Sequence, residues 1–280
     1  MAETGSTNAD LAAEAAADPA AWPDLSVLIA DSQIAGKGRL QRSWDVPAGA
    51  AMISSVLLRP TDPVAGMEAP AFLATGYGWL SILAGVALCQ AVQAETGAPA
   101  QLKWPNDVLL NGRKLAGILA QVVPASPSGP EPANGDGGRR GPGVVVGAGV
   151  NISQQREQLP VDRATSLELE VGVGVDRNVL LPAYLNRFAR LYKEFVAVGG
   201  DALRPLGGRE SAHALASGLM GTLGTQVRAE LPGGAMVYGT AERLDSGGEL
   251  EIRDGETLHA VSAGDVVHLR RTVDGGIGYA

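Results

Sequence analysis

The sequence predicts an α+β fold, in which a large domain of helices and strands is followed by a small all-β domain. Two observations lead to this prediction. Up to residue 216, stretches with the periodicity of amphipathic helices alternate with short apolar runs typical of buried strands. Over residues 217–272 the helical periodicity disappears and glycine-rich turn signals recur, a pattern typical of a small β-barrel.

The larger domain is expected to begin with a helix and two strands. Residues 5–10 contain a capping hydroxyl on Thr7 and a carboxylate three positions later, which is typical of a helix start. The alanine-rich helix that follows should end near Pro19. Apolar runs at residues 26–30 and 51–58 then predict two buried strands.

Two further helices have apolar residues at the i, i+3, i+4, i+7 spacing of an amphipathic helix. The first should end at Gly97, and the second should begin after Asp176. The stripe of the first consists of Leu80, Leu83, Ala84, Ala87, Leu88, Ala91 and Val92. That of the second consists of Leu181, Leu185, Phe188, Ala189, Tyr192, Phe195 and Val196.

A β-hairpin is predicted between these helices. The apolar runs at residues 108–110 and 115–123 are joined by Asn111 and Gly112, and Asn-Gly is the residue pair that a type I′ turn favours. Residues 143–152 predict another strand. The intervening residues 124–142 are dominated by Pro, Gly and Ser, and we expect a disordered surface loop that joins two antiparallel strands there, not a domain linker.

The composition excludes several classes of protein. Apolar residues make up 45% and charged residues 19% of the chain, as in an ordinary globular protein. The formal net charge of −8 argues against a nucleic-acid binder, which needs a basic face. The single cysteine fits a reducing compartment, the N-terminus lacks a signal-peptide pattern, and no apolar run reaches the ~20 residues of a membrane span. We therefore expect a cytoplasmic protein that has neither nucleic-acid nor membrane partners.

A basic, glycine-rich segment is the first candidate for ligand binding. Residues 36–44 combine two glycines with Lys37, Arg39, Arg42 and Trp44. Glycines let backbone N–H groups approach a phosphate, cations balance its charge, and an indole offers a face on which a nucleobase can stack. Taken alone, the segment is equally well interpreted as a basic surface turn with Trp44 in the core.

Lys103 and Asn151 are two further candidates. Lys103 precedes the bend Trp-Pro-Asn-Asp at residues 104–107, where its ammonium could meet a reacting carboxylate or phosphate. Asn151 lies at the end of a predicted strand and could bind an amide or the edge of an adenine. Taken singly, a solvated lysine and a turn-forming asparagine are the simpler interpretations.

The order of these motifs resembles that of the biotin protein ligase family along nearly the whole chain. The shared motifs are GSTNADL at residues 5–11, Gln33-x-Ala-Gly-x-Gly-Arg, KWPND at 103–107, GRKLAGIL at 112–119, GAGVNI at 147–152 and SAGDVVHLR at 262–270. The resemblance implies a catalytic domain at residues 1–216, whose mixed sheet is flanked by helices as in class II aminoacyl-tRNA synthetases. It also implies an SH3-like domain at residues 217–272.

The resemblance also implies roles for individual residues. Biotin would be bound by Ser6, Thr7, Asn8, Gln33, Gly36, Lys37, Gly38, Arg39, Lys103 and Gly117. The adenylate or ATP would be bound by Lys37, Arg39, Arg42, Trp44, Asn106 and Asn151, with Trp44 stacked on adenine. Lys103 and Arg39 would be catalytic. No protein ligand of a metal is assigned.

The implied reaction uses ATP, Mg²⁺ and biotin. Lys103, Arg39 and Mg²⁺ would screen the repulsion as the biotin carboxylate attacks the α-phosphorus. Biotin would then pass from biotinyl-5′-AMP to a lysine of a biotin carboxyl carrier domain. A homodimer is compatible with the sequence.

Three departures from the family pattern are visible. Lys37 stands where the family usually has arginine, and lysine cannot form the bidentate fork on a phosphate. The chain starts close to the GSTN motif, so we expect a shortened preceding strand. No helix-turn-helix domain precedes the core, so the repressor function of some relatives is not expected.

Two alternative functions remain open. A lipoate ligase or octanoyltransferase shares the core architecture, but octanoyl transfer needs a reactive cysteine, and Cys89 lies within a predicted apolar helix. A non-catalytic biotin or nucleotide sensor would not need the cation Lys103. The three histidines are too scattered to form a metal site.

Overall fold

The computed structural model describes most of the chain. The described residues are 1–39, 42–62, 70–124, 141–172, 174–231, 234–262, 265–271 and 277–279. The loop expected at residues 124–142 falls almost wholly outside them, as do residues 232–233 of one expected turn and residues 263–264 of the C-terminal motif. Those expectations remain predictions.

The described residues form five α-helices and fourteen strands, and every helix and strand predicted for the larger domain is confirmed. In chain order they are β1 (Glu3–Thr4), α1 (Thr7–Ala17), β2 (Val27–Ala30), β3 (Ser32–Gln33), β4 (Ala51–Leu58), α2 (Gly76–Thr96), β5 (Gln101–Lys103), β6 (Asp107–Leu110), β7 (Arg113–Val123), β8 (Gly143–Asn151), α3 (Leu167–Val171), α4 (Arg177–Ala197), α5 (Ala212–Leu219), β9 (Gln226–Glu230), β10 (Met236–Leu244), β11 (Leu250–Asp254), β12 (Thr257–Val261), β13 (Asp265–Arg271) and β14 (Ile277–Tyr279).

The local signals at the Asn-Gly turn and at the ends of α2 and α4 are also confirmed. The expected capping by Thr7 is wrong, because Thr7 is the first residue of α1, Ser6 is the N-cap, and no side-chain capping bond forms. Asn111 and Gly112 have φ values of 51° and 75°, as a type I′ turn requires. Gly97 ends α2 in the left-handed conformation with φ of 73°. The side chain of Asp176 caps α4 by accepting a hydrogen bond from the Asn178 N–H.

The large sheet has six strands in the order β2-β4-β8-β7-β6-β5. All five of its ladders are antiparallel, so the expectation of a mixed sheet is wrong for this sheet. Three of the neighbouring pairs, β5–β6, β6–β7 and β7–β8, are consecutive in the chain, and consecutive strands joined directly pair antiparallel. Parallel pairing among the described residues is limited to β1 with β3 and to isolated bridges.

Helix α2 lies at the centre of the core. It was expected to bury one stripe, but it is buried almost all round because α4 and α5 cover the side that faces away from the sheet. By length and composition alone, α2 would be able to cross a membrane, contrary to the sequence-based expectation, yet most of it is buried within the protein. On the opposite face of the sheet, α1 packs Leu11 against Leu57 and Val145.

The second sheet has the strand order β12-β11-β10-β9-β13-β14 and is antiparallel throughout. Among the described residues no ladder closes it into a barrel. Helix α5 runs across residue 217, so the expected start of the second domain falls inside a helix.

The β10–β11 turn joins the two sheets. The indole N–H of Trp79 donates to the Ser246 carbonyl at 2.8 Å, and that of Trp104 donates to the Gly248 carbonyl at 3.0 Å. A Cβ on Gly78 would lie 2.7 Å from the Gly247 carbonyl oxygen, so the backbones of α2 and of this turn are in direct contact. The second sheet is therefore fixed to α2 and to the bend at residues 104–107, which directly follows Lys103.

Candidate functional site

A cavity of about 290 Å³ lies over the middle of the large sheet. Residues directly opposed on antiparallel strands project from the same face. One such row across the cavity floor is Lys103, Asp107, Gly117, Gly149 and Ile53. The next row consists of Leu119, Gly147 and Ser55. The floor is thus the face of the sheet that α1 also contacts.

Three glycines in these rows leave room for side chains from elsewhere. A Cβ on Gly147 would collide with the side-chain oxygen of Asn8, and a Cβ on Gly149 would lie 2.7 Å from the Trp44 ring. A Cβ on Gly117 would be 3.4 Å from the same ring. The glycines of GAGVN and KLAGIL therefore allow Asn8 and Trp44 to approach the sheet backbone closely.

A polar wall borders one end of the cavity and contains four of the expected biotin-binding residues. The Thr7 N–H and hydroxyl lie 2.8 and 3.0 Å from Gln33 Oε1. Asn8 Nδ2 donates to the Leu119 carbonyl at 2.9 Å. Ser6 also lines the cavity, and its hydroxyl makes no capping bond to α1. The side chains of Thr7 and Gln33 are thus oriented by their bond to each other, and the side chain of Asn8 is oriented by its bond to the sheet backbone.

Ser55 is a member of this wall that the sequence analysis missed. Its hydroxyl lies 2.6 Å from Asn8 Oδ1 and 2.7 Å from Thr7 Oγ1, and it is fully buried. The amide oxygen can only accept, so the Ser55 proton goes to Asn8. The only signal in the sequence is the Ser-Ser pair inside the apolar run of β4.

Residues 36–38 pair with residues 42–44 beside the wall. Gly38 N–H donates to the Arg42 carbonyl at 2.7 Å, and Trp44 N–H donates to the Gly36 carbonyl at 2.9 Å. Gly36 does not line the cavity, but a Cβ there would collide with the Trp44 carbonyl oxygen. Lys37, Gly38, Arg42 and Trp44 do line it, while residues 40–41 lie outside the described residues.

The charge of the cavity is opposite to that of the whole protein. The chain has a formal net charge of −8, yet the cations that line the cavity outnumber the carboxylates. The cations are Lys37, Arg39, Arg42, Lys103, Lys114 and Arg163, and the carboxylates are Asp45 and Asp107. This balance favours an anionic ligand, such as one that carries both a carboxylate and phosphates.

Lys114 is a second lysine of the floor, and the sequence analysis assigned it no role although it lies in the GRKLAGIL block. Its ammonium is 2.6 Å from Asp107 Oδ1 and 5.9 Å from the centre of the Trp44 ring. Lys103 opposes the same aspartate in the β5–β6 ladder. Two lysines therefore flank Asp107. Only Lys103 was predicted from the sequence to belong to the site.

Asn106 and Asn151 line the cavity as expected, but both side chains are also bonded within the protein. Asn106 Nδ2 donates to the Ile118 carbonyl at 2.9 Å, and its Oδ1 accepts from Arg39 Nη1 at 3.4 Å. Asn151 Nδ2 donates to the Thr165 carbonyl at 2.9 Å, and its Oδ1 accepts from Gln154 at 2.9 Å. One Nδ2 proton on each remains for a ligand.

The structure offers neither the cysteine of an acyltransferase nor a metal cluster. Cys89 is 1% exposed inside α2, and burial raises the pKa of its thiol to about 12. Among the described residues no group of three or more His, Cys, Asp or Glu side chains could hold a metal. Cys89 is therefore unsuited to act as a thiolate nucleophile, since a thiol with this pKa stays protonated near neutral pH.

Comparison with known proteins agrees with this geometry. Residues 5–128 match the Biotin/lipoate A/B protein ligase family. The biotin–[acetyl-CoA-carboxylase] ligase of Mycobacterium tuberculosis is 41% identical, over 96% of this chain and 88% of that protein. The enzyme of the same name from Paracoccus denitrificans is 32% identical, over 95% of this chain and 98% of that protein.

A solved structure shows the same fold. The biotin protein ligase from Aquifex aeolicus in complex with biotin and ATP matches with a TM-score of 0.69 at 24% identity, covering 95% of each chain. Together the fold and the two relatives that match over most of their length define the class. This chain belongs to the biotin–[acetyl-CoA-carboxylase] ligase family.

Proposed function

We propose that this protein adenylates biotin with ATP and transfers the biotinyl group to a lysine of a biotin carboxyl carrier domain. The observation that carries the proposal is the cationic cavity of an acidic protein, bordered at one end by a wall of oriented polar groups. The wall suits the ureido ring of biotin, and the cations suit its carboxylate together with the phosphates of ATP.

In the first step, one oxygen of the biotin carboxylate attacks the α-phosphorus of ATP, forming biotinyl-5′-AMP and releasing pyrophosphate. Both reactants are anions, so their approach needs fixed positive charge. We assign this role to Lys103 and Arg39, and the position of Lys114 supports a share in it. Trp44 and Asn151 would bind the adenine.

In the second step, the amine of the carrier lysine attacks the biotinyl carbonyl. An amide forms, AMP leaves and a proton is released, so no nucleophile from the enzyme is needed. Mg²⁺ would enter with ATP as part of the substrate, because the carboxylates near the cavity form no metal cluster among the described residues.

We infer a class II aminoacyl-tRNA synthetase-like core and an SH3-like C-terminal domain, which the six-stranded antiparallel sheet of residues 226–279 supports. We also infer a cytoplasmic protein without nucleic-acid partners, compatible with a homodimer. Lys37 in place of arginine would weaken retention of the adenylate.

Biotin-dependent exchange of labelled pyrophosphate into ATP tests the first step, and an avidin blot of an apo carrier domain tests the second. Octanoate and lipoate in place of biotin provide the matched controls. We expect exchange and labelling with biotin alone. Exchange with lipoate but not biotin would favour the lipoate ligase alternative, and biotin binding without exchange would favour a sensor.

A further inference from the structure

Glu170, on the short helix α3, has a carboxylate that accepts hydrogen bonds from three side chains. Asn111 Nδ2 and Arg113 Nη2 each lie 2.7 Å from it, and the Thr165 hydroxyl donates to it as well. The Glu170 side chain is only 4% exposed. Burial alone would raise its pKa, but these three donors outweigh burial and hold the pKa below its usual value.

Thr165 connects this carboxylate to the site. Its N–H donates to the Lys114 carbonyl at 2.8 Å, and its own carbonyl accepts from Asn151 Nδ2 at 2.9 Å. Lys114 N–H in turn donates to the Arg163 carbonyl at 2.7 Å. A single residue thus touches Glu170, the backbone of a site lysine and the side chain proposed to bind adenine.

The segment that contains Thr165 forms one rim of the cavity. Pro160, Val161, Arg163 and Ala164 all line it. The segment contains no helix or strand, and it is attached to the sheet by the bridge between Ala164 and Lys114 and by the bond from Asn151 to the Thr165 carbonyl. Side-chain hydrogen bonds therefore have a large share in fixing its position, among them the bond that the Thr165 hydroxyl donates to Glu170 and the one that Arg156 donates to the Ala164 carbonyl.

We propose that Glu170 is a positioning residue for the nucleotide half of the site. It holds residues 163–165 against β7, and through Thr165 it orients the Asn151 amide. The inference rests on the proposed function, and it makes a selective prediction. The bonds of the biotin wall run through Ser55, Gln33 and Leu119, and none of them involves residues 160–170.

The test is a steady-state comparison of Glu170→Gln with Glu168→Gln in the full chain. Glu168 lies on the same helix and its side chain does not take part in the network. We expect Glu170→Gln to raise the KM for ATP about tenfold, the effect of losing one charged hydrogen bond, while the KM for biotin changes less than about twofold. Glu168→Gln should change neither.

A purely structural role gives a different pattern. Both KM values would then rise together, or both would stay at wild-type level while the melting temperature falls, and either result overturns the proposal. If Glu170→Gln does not fold, Thr165→Val decides, because it removes the same bond without altering charge. An ATP KM for Thr165→Val equal to that of the wild type would likewise overturn it.

A failure of the proposed function would be seen in the wild-type protein and not in the variants. A wild-type protein without biotin-dependent pyrophosphate exchange contradicts the ligase assignment. An active wild type, with Glu170→Gln indistinguishable from Glu168→Gln, contradicts only the role of Glu170.

Discussion

The ammonium of Lys114 lies 2.6 Å from Asp107 and 5.9 Å from the centre of the Trp44 ring. It is therefore held between a carboxylate and an indole, on the same floor as Lys103. An incoming phosphate or carboxylate would compete with Asp107 for this charge. The arrangement keeps positive charge at the centre of the cavity without leaving the Lys114 ammonium unpaired.

Lys103→Ala should lower the rate of biotin adenylation by about 10²–10³, because it removes a charge directed at the transition state. Stability should hardly change, since Lys103 is only partly buried. Pyrophosphate exchange measures the rate. Lys193→Ala is the matched control, because Lys193 is exposed on α4.

An adenylation rate for Lys103→Ala above half that of the wild type would contradict the assignment of Lys103. Lys114→Met, which keeps most of the aliphatic stem, would then show whether the role belongs to the other lysine of the floor.

Gly149→Ala should displace the Trp44 indole, because the new Cβ would lie 2.7 Å from the ring. If adenine stacks on Trp44, the KM for ATP should rise about tenfold, within the range of one base–aromatic stack. Binding of biotin, measured by calorimetry, should change less.

The control for this substitution is Gly218→Ala. Gly218 lies inside α5, and a Cβ there meets nothing within 4 Å. This variant should gain about 0.5–1 kcal/mol of stability without a change in activity. Equal effects of the two glycine substitutions on ATP binding would contradict the role of Trp44.

Lys37→Arg should slow the escape of biotinyl-5′-AMP from the site, because a guanidinium can bind a phosphate at two points. Lys37 lines the cavity beside Gly38 and Arg39, so the longer fork would remain within the site. Stopped-flow measurement of adenylate dissociation tests this. A release rate that is unchanged or faster would count against it.

The depressed pKa of Glu170 predicts a pH-dependent stability difference. A carboxylate whose pKa is lower in the folded state stabilises the protein above its unfolded pKa, and this contribution is lost as the pH falls through the folded value. The difference in unfolding free energy between wild type and Glu170→Gln should therefore shrink as the pH drops below the ordinary range of a glutamate. Urea unfolding at several pH values measures it, and a constant difference would exclude this titration as its source.

The sequence predicted α1, α2, α4, most strands of the large sheet and the Asn-Gly turn because periodicity and turn chemistry are local. The short elements α3, α5 and β3 were not predicted, since they are too short to show a period. The family motifs also identified most residues that line the cavity. Ser55 and Lys114 were missed for one physical reason: each contacts a cavity residue that is far away in the chain, Ser55 by hydrogen bonds to Thr7 and Asn8 and Lys114 by its position over the Trp44 ring. Lys114 lies next to Trp44 because Gly117 and Gly149 have no side chains that would keep the indole away from the sheet. Such close contacts between distant residues depend on the register between neighbouring strands. The sequence of a single strand does not specify that register.

The antiparallel pairing of β6 with β7 and of β7 with β8 was predicted, but the rest of the large sheet was missed for a similar reason. Each strand was recognised from its own apolar run, but an apolar run does not specify its neighbour. The pairing of β4 with β8 joins segments that are separated by more than 80 residues, and only the folded chain shows it.

The two tryptophans that bond to the β10–β11 turn provide a matched pair for the last prediction. Trp79→Phe and Trp104→Phe each remove one indole N–H, which leaves the carbonyl of Ser246 or Gly248 without its donor. Trp104→Phe should lose about 1–3 kcal/mol of stability, the cost of a buried unsatisfied group. Trp79→Phe should lose about 0.5–1.5 kcal/mol, because Ser246 is exposed and water can replace the lost donor.

Only Trp104 adjoins Lys103 and Asn106, so only its replacement should shift these cavity residues. We therefore expect Trp104→Phe to lower the adenylation rate and Trp79→Phe to leave it within about twofold of the wild type, since a surrounding shell that orients catalytic groups affects activity beyond its effect on stability. Urea unfolding and pyrophosphate exchange on the same preparations separate the two effects. If both variants lose stability and neither loses activity, the contact with the second sheet supports the fold alone and does not position the KWPND motif.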